Sequence, residues 1–138
     1  MRRHLAAITL VAIAASVAPS AAQDANATLG LLDRIGYDVI GRQVAGLVDR
    51  YRSAAEAAGF VVRTPADPAR RGPLVVVQSV DAPALVARLA ARGIVASCRG
   101  NGLRVSFHAY NNEADVDAVI EALHAESALL ERSAARAI

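Results

Sequence analysis

The stretch GIVASCRGNGLRVSFHAYNNEADVDAVIEAL, Gly93 to Leu123, holds a turn, a strand, a polar loop and a capped helix, and its reading decides the fold. Val95 to Cys98 and Leu103 to Phe107 are short β-favouring runs. Arg99-Gly100-Asn101-Gly102 between them supplies the glycines and asparagine of a tight reversal, which predicts a β-hairpin. Alternation places Leu103, Val105 and Phe107 on one face of the second run and Arg104, Ser106 and His108 on the other, so Arg104 points away from the apolar side. Asn112 followed by Asp115 is a relative of the capping box. It opens a helix whose Val116, Val119, Ile120 and Leu123 share a face.

Upstream, Asp81 caps a helix with Pro83 in its first turn, Leu85, Val86 and Leu89 inward, Arg88 and Arg92 outward, and Gly93 as terminator. Before it, Leu74 to Val80 is a nearly continuous β run, which predicts a central strand or one covered on both faces. Arg70 and Arg71 sit in a loop beside Pro and Gly. Paired arginines there have the chemistry to grip a phosphate, but a solvated loop is the commoner outcome. Phe60 to Arg63 is a brief β run closed by the Thr64–Pro68 turn cluster. From Asp38 to Ala58, Ile40, Val44, Leu47, Val48, Tyr51, Ala55 and Ala58 keep helical spacing, with Gly59 as the stop. Thr28 is positioned to cap a shorter helix, Leu29 to Ile35, in which Leu31, Leu32 and Ile35 cluster before Gly36.

The order strand, helix, strand, strand, helix behind long helices predicts an α+β fold: a small, mainly antiparallel sheet covered by helices on one face. With 138 residues, 54% of them hydrophobic, the chain suffices for one modest domain. The expected divisions are residues 1–27, residues 28–126 as the domain, and 127–138 as a helical tail. A net charge of +2 with three Tyr, two Phe and no Trp argues against nucleic-acid binding. The single Cys98 excludes an internal disulfide and supplies no metal-ligand spacing, and it reads as a small hydrophobe at a strand end.

Met1 to about Ala22 has a basic start (Arg2, Arg3, His4), an apolar run from Leu5 to Ala18, and the small residues Ser20-Ala21-Ala22. That is the pattern of a secretory signal, and the run is short for a bilayer span. The competing reading is an Ala-rich helix truncated at a domain junction.

A strand ending GIVAS, an Arg, a short turn, then LRVS, a His, YN, an acidic cap and an amphipathic helix resembles the C-terminal end of class V aminotransferase-like enzymes. These include cysteine desulfurases, kynureninases and isopenicillin-N epimerase-like proteins. The likeness runs from about Thr28 to about Ala125 and is most specific in LRVS…YN…D. It implies the small C-terminal domain of fold-type I enzymes that use pyridoxal phosphate (PLP), work in the cytoplasm on an amino-acid substrate, and form homodimers. In that family the Arg of the LRVS-type strand binds the substrate α-carboxylate, a role that carries over to Arg104. Arg99 matches a second, less constant Arg near the active-site mouth. His108 has the chemistry to donate a proton or hydrogen bond nearby, although a structural partner for the following loop is the commoner role.

All fifteen basic side chains are Arg, and there is no lysine. Enzymes of this class hold PLP as a Schiff base on a lysine amine, which a guanidinium does not replace. The expectation is therefore a domain that is catalytically incomplete alone, binds no cofactor covalently and no metal, and needs a large PLP-binding domain that this chain lacks. The alternative is a non-catalytic α+β binding or interaction module, exported if residues 1–22 act as a signal.

Overall fold

The computed structural model describes residues 29–30, 33–34 and 36–133. The signal-like segment, Thr28, Leu31, Leu32, Ile35 and residues 134–138 lie outside them. Residues 29–30 and 33–34 are helical, and Gly36, at φ 88°, breaks the chain before α1, Tyr37–Ala57. Then come β1, Leu74–Gln78; α2, Ala82–Ala91; β2, Ser97–Arg99; β3, Gly102–Ser106; and α3, Glu113–Ala125. Single 3₁₀ turns stand at Pro68–Arg70 and Ser127–Leu129.

The three strands form an antiparallel sheet in the order β1-β3-β2. This is the α+β arrangement expected, with helices against one face. Two expectations for Leu74–Val80 need correction. The central strand is β3, because it pairs with both β1 and its hairpin partner β2. Nor is β1 covered on both faces: Val75 and Val77 are buried while Leu74, Val76 and Gln78 are half-buried, the alternation of a one-sided sheet. Outside β1, the Phe60–Arg63 run makes only isolated bridges, Val62 to Val77 and Phe60 to Arg132, so it edges the sheet without becoming a full strand.

The hairpin turns at Gly100-Asn101, with Arg99 paired to Gly102. Gly100, at φ 56°, adopts the left-handed conformation that such a two-residue reversal requires. β2 begins two residues later than the apolar pattern suggests, because Ile94 drops into the core and Val95 is exposed.

Val75, Val77, Leu103 and Val105 form the inner face of the sheet and meet Leu47, Val48, Tyr51, Leu85, Leu89, Val116 and Leu123 from the helices. Each such side chain, fully buried, contributes about 1.5–3 kcal/mol relative to exposure. Asp81 and Asn112 cap α2 and α3 as the sequence indicates. Asn112 Oδ1 accepts from the Ala114 and Asp115 amides, and Asp115 Oδ2 accepts from the Asn112 amide, closing the capping box. Beyond α3, residues 127–133 of the expected helical tail form one 3₁₀ turn, after which Leu130 is buried and Leu130–Arg132 run extended. They bridge Ser79 and Phe60.

The loop around Arg71 is exposed, as expected, but the Arg71 side chain is not solvated. The Arg71 side chain folds inward, donating to the Ala66 carbonyl at 2.9 Å and to the Asp49 carboxylate of α1. Its neighbour Arg70 stays exposed.

Candidate functional site

Arg104 occupies the middle of the central strand. Its register partners are Val76 on β1 and Ser97 on β2, and all three share the sheet face that no helix covers among the described residues. Arg99, two residues beyond Ser97, lies on that face too, at the hairpin end. The strand alternation makes this unavoidable: once Leu103 and Val105 fill the core, Arg104 must face the other way.

Five of the described arginines are held in structural contacts, Arg71 as given above and four others. Arg50 binds Asp117 and Glu113, Arg52 binds Glu56, Arg92 binds Glu126, and Arg132 donates to the Ala58 carbonyl while lying over the Phe60 ring. Among the described residues, the guanidinium groups of Arg104 and Arg99 have no hydrogen-bond or ion-pair partner. Arg104 is half-buried and Arg99 exposed.

β2 stops pairing at Ser97, opposite Arg104, while β3 continues to Ser106. The gap between the diverging Ile94–Ala96 segment and the end of β3 is a groove of about 250 Å³. Arg104 and His108 both line it, whereas Arg99 does not. The structure thus brings two of the three sequence-derived candidates to one groove and leaves the third on the adjoining sheet face.

Two further groove residues, the Tyr110-Asn111 of the YN pattern, were given no role from the sequence. Tyr110 stacks on His108, with ring centroids 5.5 Å apart and planes 21° from parallel. Asn111, buried, holds the loop: Oδ1 accepts from the His108 amide at 2.9 Å, Nδ2 donates to Asp115 at 3.1 Å, and its carbonyl accepts from Gln43 of α1 at 3.1 Å. The available signal was the HAYNN composition, two rings two residues apart in a turn that His108 and Asn111 close through a backbone hydrogen bond of 3.0 Å. Beneath the loop, Phe107 meets Tyr51 edge-on at 5.5 Å, fixing it to the core. The Tyr51 hydroxyl is buried without a partner among the described residues, and burial pushes its pKa well above the usual tyrosine value.

Cys98 is half-buried on β2, on the core side with Leu103. Among the described residues, no three His, Cys, Asp or Glu side chains gather as metal ligands, and no helix is long and apolar enough to cross a membrane.

This backbone is similar to two solved structures. One is the apo structure of a cysteine desulfurase from Thermococcus onnurineus, with TM-score 0.66 and 21% identity, over 70% of this chain and 28% of that one. The other is a NifS-like protein from Rickettsia africae, with TM-score 0.57 and 15% identity, over 65% of this chain and 29% of that one. At such identities the likeness is one of fold, and the chain spans less than a third of either protein's length. No curated protein matches the sequence. The kynureninase C-terminal domain family matches residues 43–123, more than half of the chain. That match takes in most of α1, the whole sheet with its Arg104 strand, and nearly all of α3: the chain belongs to the kynureninase C-terminal domain family.

Proposed function

We propose that this chain is the small domain of a PLP-dependent enzyme acting on an amino acid, and that Arg104 receives the substrate's α-carboxylate. The observation that carries the reading is the Arg104 guanidinium: central in the sheet, beside a groove, and, among the described residues, unpaired and on the face without a helix. Two parallel N–H groups of a guanidinium match the two oxygens of a carboxylate, and a bidentate hold fixes the orientation of the rest of the substrate. Arg99, at the exposed hairpin, adds positive charge near the mouth. His108, held by the Asn111 bond to its amide, presents its ring along the groove wall.

The parent family is PLP-dependent, and PLP when bound supplies the electron sink for chemistry at the substrate's α-carbon. The residues of this chain do not fit that group, because there is no lysine to carry it. The lysine and the phosphate site therefore belong to a large domain outside this sequence, a reading supported by coverage of only 28% and 29% of the two desulfurase-like chains. The place of action is the cytoplasm, where such a partner and its cofactor meet. The second reading is a non-catalytic binding module, favoured by the missing lysine, and exported if residues 1–22 are a signal.

The test is reconstitution of this chain with a lysine-bearing large domain encoded beside it. Arg104→Lys keeps the charge and loses the fork, and Arg104→Ala loses both. Each lost charge-assisted bond costs about 1.5–3 kcal/mol, so kcat/KM falls roughly tenfold to a hundredfold or more, Ala worse than Lys. An amine lacking the carboxylate loses far less. Unchanged amino-acid turnover by Arg104→Ala, with the fold intact, would refute the assignment.

A further inference from the structure

Across the Phe107–His108 segment, which it shares with the Arg104 groove as a wall, lies a larger cleft of about 460 Å³ that Arg104 does not line. One wall is the first half of α1, where Tyr37, Ile40, Val44 and Val48 recur every three or four residues as a single apolar stripe. Phe107, buried, contributes to another wall. The stripe is open over the cleft, since Ile40 and Val44 are only half-buried and Tyr37 is 57% exposed. An apolar cavity of this size with few polar groups has the build of a small-molecule site.

The charged group is Arg71, whose side chain is only 7% exposed. Its Nη1 donates to the carbonyls of Ala66 and Pro65, and its Nη2 to Asp49. Its Nε–H has no acceptor among the described residues and is not sealed from solvent. A guanidinium N–H lacking an acceptor beside a hydrocarbon wall is complemented by a carbonyl oxygen at the end of a hydrocarbon chain. We propose that this cleft binds an acyl chain of medium length, its carbonyl oxygen on Arg71 and its hydrocarbon along Ile40, Val44 and Val48. Asp49 already balances the Arg71 charge, so selection is by hydrogen bonding and burial. A carboxylic acid and its amide both bind, while an alkylamine, which offers a cationic donor to a cationic donor, is rejected.

The test is NMR titration of the isotope-labelled full chain with octanoate, octanamide and octylamine, following the methyl signals of Ile40, Val44 and Val48. Gly41 lines the cleft, and a Cβ built there meets nothing within 4 Å. Gly41→Leu therefore adds bulk at the cleft with no clash at its Cβ, while favouring the helix. The expected result is saturable binding of octanoate and octanamide, with octylamine weaker by about tenfold or more, as loss of one charge-assisted bond implies. Gly41→Leu weakens both acyl ligands by a similar factor with its fold retained. Equal binding of octylamine, no saturable binding, or indifference to Gly41→Leu overturns the proposal. So does light scattering that shows a dimer dissociated by Gly41→Leu, since a second copy would then be the occupant.

Discussion

Gly102 of β3 and Val76 of β1 are so close that a Cβ on Gly102 would stand 2.8 Å from Val76 Cγ1, and 3.3 Å from the Arg99 carbonyl oxygen. Val76 is also the residue directly across from Arg104. The missing side chain at Gly102 thus lets the uncovered sheet face close up around the Arg104 position.

Gly102→Ala therefore forces Val76 and the hairpin backbone to shift, at a cost of about 1–3 kcal/mol, the usual range for overpacking. Thermal unfolding is expected to show a lower Tm, and Val76→Ala in the same chain recovers part of the loss. A Tm equal to wild type for Gly102→Ala would contradict the packing described.

Tyr51 sets an alkaline limit. Its pKa is raised in the folded chain by burial, above the ordinary value of 10.0. Folding therefore holds the proton that the unfolded chain releases. The sign follows: stability is fully present below pH 10 and declines above it, by up to about 1.4 kcal/mol per pH unit. Tyr51→Phe removes a hydroxyl that has no partner among the described residues. That variant is expected to match or exceed wild-type stability at neutral pH and to lose this alkaline dependence. Denaturant melts from pH 8 to 11 provide the check.

Adjacent asparagines have separable roles. Asn112→Ala removes the cap of α3 and costs about 1 kcal/mol. Asn111→Ala strips partners from the His108 amide and from Asp115 within a buried site and costs about 1–3 kcal/mol. Hydrogen exchange distinguishes the two: the His108 amide loses protection in Asn111→Ala and keeps it in Asn112→Ala.

The absence of lysine makes a chemical prediction. Incubated with PLP and then borohydride, the purified chain is expected to gain no covalent adduct on an internal side chain, because an arginine forms no stable Schiff base. Mass spectrometry after proteolysis checks this. A reduced pyridoxyl group mapped to any residue other than the amino terminus would overturn it.

Much of the architecture was legible because the relevant signals are local. The 2.0 and 3.6 periodicities around Leu103–Phe107 and Val116–Leu123, the Gly100-Asn101 reversal and the Asn112–Asp115 box each involve residues a few positions apart. Their geometry follows from backbone sterics alone. The orientation of Arg104 came with them, since filling the core with Leu103 and Val105 leaves it only one direction. What tertiary structure alone decided was everything that depends on distant segments meeting. The Leu74–Gln78 run looks like a central strand from its composition, yet β3 takes the centre because the hairpin adds β2 on its far side. Arg71 looks like a solvated loop residue, yet Asp49, twenty-two positions away, turns it inward. The groove joining Arg104 to His108 exists because β2 leaves the ladder at Ser97 when Ile94 enters the core. That departure depends on burying an apolar side chain against residues far off in the chain, and no local pattern encodes it.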